Sequence, residues 1–342
     1  MGVKLLARAF ITGLALVSAT LPTRAQDAEH QFFRGKTIHM VVGSGPGGGY
    51  DIYARLISPY LGKALDANVV VENQPGAGGI TSLNRLFVSP PDGLTMSFAN
   101  GTSAAFAQIT EQQGLRFDLA KFDYLATVGA PPGLWLVGPE PPYKTVKDAL
   151  AAKSSWQWGA SGPSDGLGNG AAFTCEALKL KCSIVPGYSG SNQAALAVTK
   201  GEMDAVYIPE SSANNYVKAK QNFALATMSR KKSRWFLDRP TIFEAVDLSE
   251  DGKWLFDFNS SVEDLGRILI LPPNMPKARL AFLQQVVRDV LHDPKLIEEG
   301  ERTERIIEYL DPESTLKNAQ KVTTQITPEQ RKRVISLVNR EK

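Results

Sequence analysis

Two lobes of α/β architecture, each a mostly parallel sheet flanked by helices, are predicted by three observations. The chain runs to 342 residues, past the ~250–300 residues at which a single hydrophobic core stops growing. Short β-rich runs alternate with helical patterns in two separate stretches, 37–99 and 145–208. Between them the chain is rich in proline and glycine, Gly129-Ala130-Pro131-Pro132-Gly133 and Gly138-Pro139-Glu140-Pro141-Pro142, a composition that marks a change of lobe. At 43 % hydrophobic and 21 % charged residues, disorder, collagen and coiled coil are excluded.

Residues 1–25 read as a secretory leader. Lys4 and Arg8 precede an apolar run over 9–19, followed by Pro22 and a Thr23-Arg24-Ala25 end with small residues at both cleavage-reading positions. Cleavage is expected after Ala25. The 11-residue run is short of the ~20 residues a spanning helix needs, so an exported, soluble, periplasmic protein is expected. The net charge of +3 resides in Lys4, Arg8 and Arg24; without them 35 basic residues face 35 acidic ones. A neutral chain lacks the positive field that supports nucleic-acid binding, and no nucleic-acid partner is expected.

The first stretch reads as strand over 37–42, helix over 51–65, strand over 68–72, helix over 79–87 and strand over 95–99. This βαβαβ rhythm implies right-handed crossovers, which place the strand-to-helix loops on one edge of the sheet, where ligands bind. The second stretch repeats it, with helices over 145–152, 168–180 and 192–200 and strands over 155–160, 183–185 and 204–208. From Pro276 the chain is helical again. Phe282, Leu283, Val286, Val287, Val290 and Leu291 form one apolar stripe, and Thr327-Pro328-Glu329 opens a last helix with a cap and an N1 proline. A chain that leaves one lobe, builds another and returns forms a cleft crossed by two hinge segments.

Two loops carry the chemistry. Ser44-Gly45-Pro46 follows the first strand of the first unit and Ser161-Gly162-Pro163 a strand of the second, each followed by small residues and a helix. Gly47-Gly48-Gly49 and Gly166-Leu167-Gly168 let backbone approach a ligand closely, and the following helix start offers unpaired N–H groups. Each loop is a candidate anion-binding nest, and the two facing each other would hold a small molecule by its carboxylates without a buried arginine. Asp51 is read as the cap of its helix rather than a ligand group.

The segments Pro46-Gly47-Gly48-Gly49-Tyr50-Asp51, Val71-Glu72-Asn73-Gln74-Pro75-Gly76-Ala77-Gly78-Gly79, Pro91-Asp92-Gly93, Val185-Pro186 and Gly201-Glu202-Met203-Asp204, in this order, resemble the Bug-type, TctC-like solute receptors of tripartite tricarboxylate transporters. The resemblance implies a type II-like, two-lobe periplasmic binding protein with a two-segment hinge. Its lobes would be 28–130 plus 262–342 and 131–261. It would capture a carboxylated organic solute as a monomer, without cofactor or catalysis, and deliver it to membrane permease subunits. A receptor reporting to a signalling kinase would use the same closed state. Carried over by position, the resemblance implies Ser44, Gly47, Gly48, Gly49, Thr102, Ser103, Ser161, Ser164 and Asp165 as ligand-binding residues, with Tyr188 where the family commonly has lysine. Asp165 and Glu210, if both near the cleft, would disfavour a highly anionic solute unless paired.

Rival readings are weaker. Gly43-Ser44-Gly45-Pro46-Gly47-Gly48 fits a dinucleotide fingerprint with Glu72 as the ribose acid, but Pro46 removes a donor from the phosphate turn and the loop has a near-duplicate in the second unit. Gly162-Pro163-Ser164-Asp165-Gly166 fits a nucleophile elbow, yet the one downstream histidine, His292, falls on a polar helix face, and His30 is assigned to an N-terminal tail. The run Arg230-Lys231-Lys232-Ser233-Arg234 is read as a solvated loop before a docking patch, and Trp135, Trp156 and Trp158 as core, with Trp158 kept as a stacking candidate. Cys175 and Cys182 have no metal or redox pattern around them. On one continuous helix they would stand about 10.5 Å apart along the axis; if the helix ends near Lys179 and Cys182 opens the next strand, a bridge is within reach.

Overall fold

The computed structural model describes residues 21–339, apart from 48, 161–165 and 189. The first lobe opens with α1 (Leu21–Phe33), β1 (Thr37–Val42), α2 (Gly49–Leu65), β2 (Asn68–Asn73), α3 (Ile80–Phe87), β3 (Thr95–Asn100), α4 (Gly101–Ile109) and β4 (Asp123–Val128). The chain then builds the second lobe: β5 (Gly133–Val137), α5 (Val146–Ala152), β6 (Ser155–Gly159), α6 (Gly166–Ala177), β7 (Lys181–Val185), α7 (Ser191–Thr199), β8 (Ala205–Pro209), α8 (Glu210–Lys218) and β9 (Phe223–Thr227). It returns through α9 (Ile242–Ala245) and α10 (Glu250–Glu263) to β10 (Arg267–Leu271), and ends with α11 (Lys277–Leu291), α12 (Pro294–Arg302), β11 (Tyr309–Leu310), α13 (Pro312–Thr324) and α14 (Pro328–Asn339).

The sheet orders are β11-β4-β10-β3-β1-β2 and β7-β6-β8-β5-β9. In the first, β1 to β4 run one way while β10 and β11 run against them; in the second, only β5 opposes the rest. Both sheets are therefore mixed rather than mostly parallel, with three of five neighbouring pairs antiparallel in the first and two of four in the second, and the return of the chain between the lobes explains the two reversed inner strands. A strand that follows a βα crossover ends at the cleft edge, whereas one arriving from the hinge begins there. Accordingly the first residue of β10, Arg267, pairs with the last of β3, Asn100, and the first of β5, Gly133, with the last of β8, Pro209.

The β-branched run of β1 buries Ile38, Met40 and Val42 against α2 and α11. The predicted stripe holds: Phe282, Leu283, Val287, Val290 and Leu291 of α11 are buried. Thr327 and Gln330 cap α14 reciprocally, each accepting from the other's backbone N–H through its side chain. His30 belongs to α1 and not to a tail, its ring set edge-on against Phe282; the helical register that brings Phe33 into the core carries it there. A second apolar cluster joins the lobes, with Phe106 of α4 against Phe173 of α6 at 6.1 Å between centroids, Phe258 of α10 stacked on Phe173, and Val334 and Val338 of α14 buried in the same cluster. Among the described residues no helix is long and apolar enough to cross a membrane.

Candidate functional site

The first glycine-rich loop is fixed from below by side chains of its own lobe. The Gly47 N–H donates to Asp51 Oδ2 at 2.8 Å, and Arg55 Nε donates to both Asp51 oxygens at 3.0 and 3.1 Å. Asn73, at the end of β2, donates through Nδ2 to Asp51 Oδ1 at 2.9 Å and to the Ser44 carbonyl at 3.0 Å. Burial alone would raise the Asp51 carboxyl, but the bonds from Arg55, Gly47 and Asn73 outweigh it and hold the group below the usual carboxylate range. Asp51 thus clamps the loop from within the first turn of α2; it is not the cap that the sequence reading expected, because the helix already begins at Gly49 and its carboxylate accepts from the upstream Gly47 N–H rather than from the N–H groups of the next turn. Gly43 is where the β1–α2 and β2–α3 loops meet, since a Cβ there would stand 2.7 Å from the Gly79 Cα.

Between the lobes lies a cavity of about 280 Å³. The first lobe supplies Gly47, Gly49, Tyr53 and Arg267, and the second supplies Ser191 and Asn192 from the first turn of α7 and Ser211 and Asn215 from α8. The wall is mostly hydroxyl, amide and backbone, with Ile52, the guanidinium groups of Arg267 and Arg305 and the Glu304 carboxylate. The guanidinium carbon of Arg267 lies 4.2 Å from the Tyr53 ring centroid and 6.0 Å from that of Tyr50. Its Nε is buried with no hydrogen-bond partner, as is the Tyr53 hydroxyl. Burial pushes the Tyr50 phenol up to about 12, against the pull of Arg267, so it stays neutral. Arg267 also reaches a second cavity of about 230 Å³ formed by the hinge segment Gly129, Ala130, Pro131 and Pro132 together with Glu210 and Arg234.

Residues 53–335 match the family model of the tripartite tricarboxylate transporter family receptor. The chain belongs to that family. It is 25 % identical over 289 residues to a UPF0065 protein of Bordetella pertussis, spanning 83 % of this chain and 85 % of that one. Its fold is similar to a TctC solute-binding protein from Polaromonas, with a TM-score of 0.69 and 20 % identity over 89 % of this chain and 98 % of that one. It is also similar to MatC of Rhodopseudomonas palustris, solved with bound malate, with a TM-score of 0.66 and 22 % identity over 89 % and 99 % of the two chains. The family resemblance read from the sequence therefore holds.

In this family receptor, Gly47 and Gly49 stand together on the cleft wall, Gly47 with its N–H already engaged by Asp51. Ser44, earlier in the same loop, does not line the cavity, and its hydroxyl is buried without a partner. Gly48, Ser161, Ser164 and Asp165 lie outside the described residues. Thr102 and Ser103 open α4 but do not line the cleft cavity: the Thr102 hydroxyl donates to the Val262 carbonyl of α10 at 3.5 Å, and the Ser103 N–H to its cap Asn100. Tyr188 packs its ring on Gly159 beside the core of the second lobe, close to the α7 start. Glu210, 4 % exposed, belongs to the hinge cavity. Burial raises its carboxyl, opposed by donation from the Ser233 hydroxyl at 2.6 Å and the Arg234 N–H at 3.0 Å.

The remaining candidates resolve as packing or surface. Trp158 is fully buried against Trp135, 5.2 Å between centroids, and is not open to a ligand. The charges of the basic run are paired one by one: Arg230 with Asp257, Lys231 with Asp264, Lys232 with Glu244 and Arg234 with Glu308. His292 is exposed, its Nδ1–H donating to the Arg288 carbonyl at 2.7 Å. Among the described residues no group of three His, Cys, Asp or Glu is placed to hold a metal. The groups the sequence did not reveal are Arg267, Tyr53 and the α8 face; only the folding of β10 beside β3 brings Arg267 to the cleft, and no local motif signals it.

Proposed function

We propose that this chain is an extracytoplasmic receptor that captures a small carboxylated solute between its lobes, as a monomer and without cofactor or catalysis, and delivers it to the membrane subunits of a tripartite tricarboxylate-type transporter. The observation that carries the reading is the inter-lobe cavity, of small-molecule size, walled by a pre-formed glycine loop on one side and hydroxyl-bearing helix starts on the other. Family membership supports delivery to a transporter, and the malate in MatC supports a carboxylate as cargo. The described α1 contacts, Glu29 with Arg279 and His30 with Phe282, lie beyond Ala25, so removal of a leader at that point keeps them.

Closure would turn on the segments 129–132 and 264–266. The ion pairs across the cleft mouth, Lys218 with Glu304 at 3.4 Å and Arg234 with Glu308 at 3.3 Å, are exposed and each contributes only ~0–1 kcal/mol, so they do not lock the cleft. Ligand binding to the native state raises the melting temperature. A thermal-shift panel of di- and tricarboxylates, aromatic acids and acidic amino acids is expected to give a rise with a carboxylate, and none with NAD or simple esters. A rise with NAD, or turnover of an ester, would replace the receptor by an enzyme.

A further inference from the structure

Among the described residues of the cleft wall, Arg267 is a charged group with a side-chain nitrogen buried without a partner. Each acid around it already has a partner: Glu304 has Lys218, Glu308 has Arg234, Glu210 has the Ser233 hydroxyl and the Arg234 N–H, and Asp51 has Arg55. Arg267 itself has no carboxylate among the described residues, and its Nε is buried without an acceptor. A guanidinium N–H buried without an acceptor is costly, because it loses solvation and gains no bond in return. The Tyr53 ring at 4.2 Å covers one face and offsets part of that cost. It leaves the edge of the fork, the geometry that meets a carboxylate through paired N–H···O bonds.

Position adds a second argument. Arg267 is the first residue of β10, immediately after the return crossing, and its backbone N–H donates to the Gly129 carbonyl of the other crossing at 3.3 Å. A solute held there touches the cleft and the hinge at once. We propose that Arg267, stacked on Tyr53, is the carboxylate anchor of the solute site. The proposal rests on the receptor reading above and departs from the expectation that backbone N–H groups suffice without an arginine. The Tyr53 hydroxyl, buried and unpartnered beside it, would supply a further donor.

The test is calorimetric titration of the mature chain, and of its Arg267→Gln and Arg267→Lys variants, with malate, adipate and malamide. Wild type should bind at least one of the acids and discriminate malate from uncharged malamide. Arg267→Gln should lose on the order of 30-fold or more in affinity for the acid. It should also lose its preference over the amide, a readout that a merely structural arginine would not move. Arg267→Lys, keeping the charge without the fork, should fall between, by about 10-fold. If Arg267→Gln does not fold, the lysine variant decides. Acid affinities within twofold of wild type in the folded variants would overturn the anchor and leave the receptor standing. Failure of wild type to bind any of the acids would overturn both.

Discussion

Glu263, the last residue of α10, meets the buried hydroxyl of Tyr207 and the amide of Asn259, while its Oε2 is buried without a partner. Burial is the larger effect and pushes its carboxyl up to about 7 from a usual 4.5, with Asp264 adding to the rise and Lys231 opposing it. The native state then holds this proton more tightly than the unfolded chain. Its contribution to stability is complete below the unfolded value, shrinks as pH rises through the window between the two, and is lost above the folded one. Asp51 has the opposite sign: with a lowered folded value its contribution is present above the unfolded 3.8 and is lost as pH falls through the folded value. Glu263→Gln should therefore flatten the decline in melting temperature between pH 5 and 8 and melt above wild type at the alkaline end. A wild-type-to-variant difference constant across pH would refute this. A structural role for Asp51 was legible from its place at a helix start. Glu263 and Arg267 were not, because each acquires its meaning from a tyrosine far away in sequence.

At the scale of elements, the turn after α6 settles the question the cysteine spacing left open. The helix ends at Ala177, Lys179 takes a left-handed φ of 54°, and the Leu180 N–H donates to the Cys175 carbonyl, so the chain reverses and β7 begins at Lys181. Cys175 and Cys182 are bridged, with Cα atoms 6.2 Å apart. A loop this short restricts the unfolded chain by about 2 kcal/mol. Replacing both cysteines with alanine should lower the denaturation midpoint by that order and leave solute binding intact, since the bridge lies at the end of α6 away from the cleft. A midpoint unchanged by the double substitution, or by reductant, would show that the bridge adds nothing to stability. The strands and helices on either side of each glycine loop were legible because β-branched runs and small-residue turns are local signals. Helix α10 and strand β10 were not, since Arg267-Ile268-Leu269-Ile270-Leu271 is a buried central strand that has lost the alternation of a half-exposed one.

For the whole molecule, the two-lobe plan was legible from the repeated rhythm, but not the way the lobes adhere. Phe106, Phe173 and Phe258 and the valines of α14 form one apolar cluster across the boundary, and Arg333 of α14 pairs with both Asp251 of α10 and Glu176 of α6. Apolar contact of this kind outweighs the exposed ion pairs at the cleft mouth, so the mature chain should unfold in calorimetry as one cooperative transition. Two resolved transitions would show the lobes to be energetically separate. The path of the chain also imposes an order of assembly. All five strands of the second sheet are consecutive, whereas β3 and β4 of the first are separated by β10, which is made only after the whole second lobe. A growing chain can therefore close its middle third while its first third still lacks the strand that unites it, and the amino-terminal lobe is the last to lock.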